Sequence, residues 1–123
     1  MSSRSQVVIA IEVSKVADFE KECGALAEYV DAVFDFEHDS VMGRCYCFDS
    51  VNWCDGFEDV KEFAAWSRKN LDYFQLVRLG SEDADHVDMD TEGFLDAGMF
   101  VQRSIHMPDR LRVTTEGAFE AYE

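Results

Sequence analysis

The chain has 123 residues, of which 26 are Asp or Glu and 11 are Lys or Arg, giving a formal net charge of −15. A field of this sign repels nucleic acid and anionic membranes and attracts basic protein surfaces and cations, so we expect no direct nucleic-acid or membrane binding. Because 47% of the residues are hydrophobic and 13% aromatic, the chain can bury a core and is not a disordered acidic tail.

The length fits one domain, which we predict to cover residues 1–113, followed by a mobile or weakly ordered tail at 114–123. The chain opens without a basic segment followed by an apolar run, so no signal peptide is expected. Its longest apolar stretch, Val7–Ile11, is too short to span a bilayer. We therefore expect a cytoplasmic protein with four reduced cysteines.

Six segments show the periodicity of a strand or a helix. In chain order they are a strand at 7–13, a helix at 16–30, strands at 32–37 and 41–48, a helix at 57–70 and a strand at 73–79. Two short strands at 87–91 and 100–107 follow, with a loop between them. This order predicts an α+β fold, specifically a ferredoxin-like two-layer sandwich with two helices on one face of an antiparallel sheet, plus a C-terminal β-hairpin.

Acidic residues are concentrated in two runs, 80–97 and 29–40, where every ionised side chain is acidic. Carboxylates in such runs are candidates for contact with a basic partner. The expected partner-binding residues are Asp83, Asp85, Asp88, Asp90 and Glu92 in the first run, Asp35, Glu37 and Asp39 in the second, and Trp53 as an apolar anchor. An acidic surface selected for solvation in a salt-loving organism is the alternative explanation of the charge.

No motif predicts a catalytic residue, a cofactor or a metal site. Residues 88–93 match the front of a calcium-binding loop, but its twelfth position is Met99 and the bidentate Glu is missing. Cys45 and Cys47 have a Cys-x-Cys spacing, unlike the paired ligands of a zinc site, and we predict that both are core residues.

Five segments between residues 48 and 107 resemble segments of a known group of proteins. They are Phe48-Asp-Ser-Val-Asn-Trp53, Phe57-Glu-Asp-Val-Lys61, Tyr73-Phe-Gln-Leu-Val-Arg-Leu-Gly80, Ser81-Glu-Asp-Ala-Asp85 and Phe100-Val-Gln-Arg-Ser-Ile105. Through these segments, residues 48–107 resemble small, acidic, mostly uncharacterised bacteriophage and prophage proteins. The resemblance implies an accessory protein that inhibits host defence, such as an anti-CRISPR or anti-restriction protein, acting in the host cytoplasm.

Three functions follow as hypotheses. The first is a non-enzymatic inhibitor whose acidic, DNA-mimicking surface occupies the basic nucleic-acid-binding cleft of a host protein or nucleoprotein complex. The second is a small-molecule or metal-binding domain, with or without enzymatic activity. It would use a pocket between sheet and helices and the side chains of Cys45, Cys47, His86 and His106. The third is a structural protein that forms a homodimer through its sheet.

Overall fold

The computed structural model describes residues 5–53, 56–80, 89–101 and 105–106. Five strands form an antiparallel sheet in the order β2-β3-β1-β4-β5. They are β1 (Ser5–Glu12), β2 (Ala32–His38), β3 (Val41–Val51), β4 (Phe74–Gly80) and β5 (Met89–Glu92). Two short strands, β6 (Phe100–Val101) and β7 (Ile105–His106), pair with each other. The predicted α+β class and antiparallel sheet are confirmed, and the proposed tail at 114–123 lies outside the described residues.

Three helices pack on one face of the sheet: α1 (Val13–Glu22), α2 (Gly24–Ala27) and α3 (Glu58–Lys69). Their buried side chains meet the alternate residues of β1 that point to this side. The core on this face contains Val7, Ile9, Ile11, Phe19, Leu26, Tyr46, Phe48, Phe63, Trp66, Phe74 and Leu76. Four of its rings, Phe19, Phe63, Trp66 and Phe74, have neighbouring centroids 5.3–6.3 Å apart, and each such pair contributes about 1 kcal/mol beyond its area burial.

The other face of the sheet is covered by residues 93–99, which the sequence predicted only as a connecting loop. Leu95, Ala97 and Met99 are buried against the strand residues that point away from the helices. The backbone N–H of Phe94 donates to the carbonyl of Leu71 at 2.7 Å, and that of Leu95 to the carbonyl of Phe74 at 3.0 Å. These bonds fix the start of the segment, which then crosses the sheet toward β2.

The single helix predicted at 16–30 is wrong, because the chain forms two helices that are interrupted at Cys23. This residue has φ −119° and ψ 33°, outside the helical region. It is followed by Gly24, a residue with a low helix propensity. The interruption lets both α1 and α2 bury residues, Phe19 and Leu26, in the same core.

Gly43 lies at a point in the sheet where there is no room for a side chain. A Cβ atom there would lie 2.6 Å from the Cε1 and Cζ atoms of Phe36 and closer still to the carbonyl oxygen of Ile11. We expect Gly43→Ala to lower the free energy of unfolding by about 2 kcal/mol because the added methyl overpacks the site. Urea denaturation measures this change.

Gly24→Ala is the matched control, since no atom lies within 4 Å of the Cβ position. Alanine there should leave the stability unchanged or raise it by up to about 1 kcal/mol, because alanine has the higher helix propensity. Equal stabilities of Gly43→Ala and the wild type would contradict the close approach of Phe36 and Ile11 to Gly43.

Candidate functional site

The predicted acidic patch on β2 is partly neutralised. Asp35 accepts a hydrogen bond from Nε of Arg44 at 3.0 Å, and the same guanidinium lies 3.3 Å from Glu20. The hydrogen bond with Asp35 raises the pKa of Arg44 further above its usual range. Tyr46 donates its hydroxyl to Glu20 at 2.6 Å. Only Glu37 is exposed without a hydrogen bond or ion pair to another described residue, so this patch carries less free charge than the sequence predicted.

The tip of the β2–β3 hairpin brings together one imidazole and two carboxylates. Nε2 of His38 lies 3.4 Å from Oδ2 of Asp39 and 3.8 Å from Oδ1 of Asp96. Asp39 and Ser40 have φ of 52° and 70°, as expected for the two central residues of a tight hairpin turn. One ligand atom from each of His38, Asp39 and Asp96 falls within 4.8 Å of the others. This geometry suits either a divalent cation or a protonated imidazole between two carboxylates.

The predicted patch from the acidic run 80–97 lies at the opposite edge of the sheet from β2. Asp90 is in β5, in register with Arg78 of β4, and Glu92 is exposed at the end of β5. Four strand spacings, or about 19 Å, separate β5 from β2. Asp83, Asp85 and His86 lie outside the described residues, as does Asp88, the first residue of the calcium-like loop. The described residues therefore do not join the two patches into one face.

Trp53 packs toward the core instead of standing free as an anchor. It is partly buried, and its ring centroid lies 5.8 Å from that of Phe63 in an edge-to-face arrangement. This leaves only part of the indole for contact with a partner.

Cys45 and Cys47 are buried core residues, as predicted. Both point to the sheet face covered by residues 93–99, away from the helices. They therefore cannot line a pocket between sheet and helices, which corrects the second functional hypothesis on this point. Burial raises the pKa of Cys47 to about 12, and that of the buried Cys23 also to about 12. Neutral thiols of this kind are poor nucleophiles and poor metal ligands.

A cavity of about 550 Å³ opens where α2, the end of β3 and the start of α3 meet. Its lining combines two aromatic rings with three carboxylates, and none of the described residues that line it is Lys, Arg or His. We call this cavity the acidic pocket. It is lined by Leu26, Tyr29, Asp31, Ser50, Val51, Asn52, Phe57, Glu58, Asp59 and Val60.

The sequence analysis missed the acidic pocket and misassigned one of its residues. The helix predicted at 57–70 places Phe57 in its first turn, on the apolar stripe that faces the core, but Phe57 is the N-cap of α3 and its side chain is 45% exposed. The buried stripe of α3 starts later, at Val60, which also contributes to the pocket floor. The signal available in the sequence was an aromatic residue followed by two acids, Phe57-Glu58-Asp59.

Asp31, which lines the acidic pocket, is held close to a second acid, Asp49, which is not one of the lining residues. Asp31 accepts a hydrogen bond from the backbone N–H of Asp49 at 2.7 Å. Partial burial and then the negative charge of Asp31 raise the pKa of Asp49 above its ordinary value. A cation bound near these carboxylates would relieve the repulsion.

Comparisons with protein-family models, with curated proteins and with solved structures gave no match. The resemblance to acidic phage proteins therefore stays a prediction. Within the described ranges, no helix has the length and apolar character needed to cross a membrane.

We predict that the thiols of Cys23, Cys45 and Cys47 do not react in the native protein, because they are buried and protonated. The test uses a Cys54→Ser variant and Ellman's reagent at about pH 8, near the pKa of a free thiol. All three thiols should titrate only after guanidinium is added. Rapid reaction of any of them before unfolding would contradict the burial of these residues.

Asp49→Asn should raise the free energy of unfolding at neutral pH by up to about 0.5 kcal/mol, the usual range for a surface substitution. The raised pKa means that folding disfavours the ionised carboxylate, so removing the charge is stabilising. The gain should disappear in acid, where wild-type Asp49 is also neutral.

Urea denaturation at neutral and acidic pH measures this difference. Asp72→Asn, an exposed acid in the short 3-10 helix Leu71–Tyr73, is the control and should give no gain. A loss of stability for Asp49→Asn at neutral pH would contradict repulsion at this site.

Proposed function

We propose that this chain is a non-enzymatic binding protein whose acidic surface takes up a basic surface of another protein. The observation that carries this proposal is the acidic pocket, whose described lining includes Asp31, Glu58 and Asp59 together with exposed aromatic residues and contains no basic residue. Such a site favours cationic groups, and the net charge of −15 would speed their approach.

The specific form of this proposal is inhibition of a nucleic-acid-binding protein. A cleft that binds the phosphate backbone presents Lys and Arg side chains, and carboxylates spaced over a folded surface can occupy the same side chains. The acidic run that contains Asp83, Asp85 and Asp88 belongs to this proposal through its charge. The resemblance to phage proteins adds the expectation that the target is a host-defence nucleoprotein.

We also propose a ferredoxin-like unit over residues 5–80. The strand order β2-β3-β1-β4 supports it, together with α1 and α2 between β1 and β2 and α3 between β3 and β4. This is the strand-helix-strand-strand-helix-strand order of that fold. Under this proposal, β5 and the covering segment 93–99 are additions to the unit.

Small-molecule binding is a second candidate function, favoured by the volume of the acidic pocket. A cavity of about 550 Å³ lies within the range of small-ligand sites, roughly 300–1,000 Å³. The carboxylates of its lining favour a cationic ligand and disfavour a nucleotide. Native mass spectrometry of protein purified from cells would show a retained ligand.

The proposed function predicts salt-sensitive binding to a basic probe. We expect a fluorescent octapeptide of alternating Arg and Lys to bind, with an affinity that falls at least tenfold between about 50 and 200 mM NaCl as its charges are screened. Fluorescence anisotropy measures the affinity. An affinity that does not change with salt would contradict a mechanism based on charge.

Isosteric variants locate the binding surface. The triple variant Asp31→Asn, Glu58→Gln, Asp59→Asn removes the carboxylates of the acidic pocket and should weaken peptide binding at least tenfold. The control Glu22→Gln, Glu62→Gln, Asp72→Asn changes the net charge equally at exposed positions that do not line the pocket. Equal weakening by both variants would assign the binding to net charge alone and would contradict a role for the pocket.

A further inference from the structure

We infer that the acidic pocket is the docking site for an arginine side chain of a basic partner protein. This inference rests on the proposed function and gives it a specific contact. The expected occupant is a guanidinium group, because the pocket is lined by both acidic residues and exposed aromatic residues.

The first step of the argument is charge complementarity. Asp31 comes from the turn after α2, whereas Glu58 and Asp59 come from the first turn of α3, so acidic residues from two separate segments line the cavity. Glu58 and Asp59 also offset the positive end of the α3 dipole, and this role alone could explain them. It does not explain Asp31, which faces the same cavity and lies beside a second acid, Asp49.

The second step is the exposure of the aromatic residues. Tyr29 is 63% exposed and Phe57 is 45% exposed, although both line a cavity and neither completes the core of the described residues. Exposed aromatic residues beside a pocket are typical of binding hot spots, where a partner covers them. Their faces attract cations, with a contribution of about 0.5–2 kcal/mol depending on desolvation.

The third step distinguishes arginine from lysine. A guanidinium is planar, stacks on aromatic rings and donates paired hydrogen bonds to a carboxylate. An ammonium is a compact and strongly hydrated point charge that gains less from the rings. A pocket that offers Tyr29 and Phe57 together with three carboxylates therefore matches the chemistry of arginine.

The fourth step is the support beneath the pocket. Leu26 and Val60 form part of its lining and are themselves buried, with exposed fractions of 2% and 6%. The pocket is thus formed by two helices and a strand end that are fixed by the core. An arginine entering it would meet a surface that is already organised, which reduces the entropic cost of binding.

The test compares two fluorescent octapeptides of equal charge, one alternating Arg with Gly and the other alternating Lys with Gly. At low salt we expect the wild-type protein to bind the Arg peptide at least fivefold more tightly. In the Tyr29→Leu, Phe57→Leu variant this preference should fall to about one, while binding of the Lys peptide changes less than twofold. Phe94→Leu is the control, because Phe94 is 70% exposed and does not line the pocket.

Thermal unfolding of each variant confirms that the protein is folded, and amide chemical shifts on addition of the Arg peptide locate its contact. Shifts centred on the pocket residues would support the inference. Equal binding of the two peptides by the wild type, or a preference that survives in the double variant, would overturn it and leave the proposed function standing. Failure of both peptides to bind would overturn the proposed function as well.

Discussion

The structure depends on the burial of β1 on both faces of the sheet. Val7, Val8, Ile9, Ala10 and Ile11 all have exposed fractions of 0%, so this strand has no side that can face water. A continuous apolar run of this kind requires cover on both faces. The helices cover one face and residues 93–99 the other, and full burial of each large aliphatic side chain contributes about 1.5–3 kcal/mol. The helices on one side and residues 93–99 on the other are therefore both needed to keep β1 out of water.

One consequence is that charged residues are excluded from the middle of the molecule. Every acidic residue whose burial the structure describes is exposed or only partly buried. At the β2 edge, Arg44 compensates Asp35 and Glu20. At the acidic pocket no described lining residue is basic. The described surface therefore has two kinds of acidic region. At the β2 edge Asp35 and Glu20 form ion pairs with Arg44, whereas the acidic pocket has no basic residue in its described lining.

Local sequence signals predicted the elements whose residues interact with near neighbours. The strand at 7–11, the strand in which Phe34 and Phe36 alternate with Asp35 and Glu37, and the helix that became α3 each follow from a local periodicity, and the structure has these elements. Phe57, at the start of the predicted helix, is the exception, because it is exposed and not part of the buried stripe. The path of residues 93–99 could not be predicted in the same way. Leu95, Ala97 and Met99 are spaced like a strand, but their partners are in β1, β3 and β4, so their role depends on contacts distant in sequence. The acidic pocket was missed for the same reason, since Asp31 and Glu58 are brought together only by the packing of α2 and α3.

The repulsion between Asp31, which lines the acidic pocket, and Asp49 bears on more than stability. The backbone N–H of Asp49 donates to Asp31, which holds the two acids near each other, and the raised pKa of Asp49 reflects this arrangement and its partial burial. If these acids contributed only to solubility, we would expect them to be spread apart, because dispersed charges repel one another less and are hydrated equally well. A group of acids that is held together beside exposed Tyr29 and Phe57 gains most when a cation with a flat apolar face binds there. In the proposed complex with a basic partner, binding of a cation would reduce this repulsion and cover the two rings in one step.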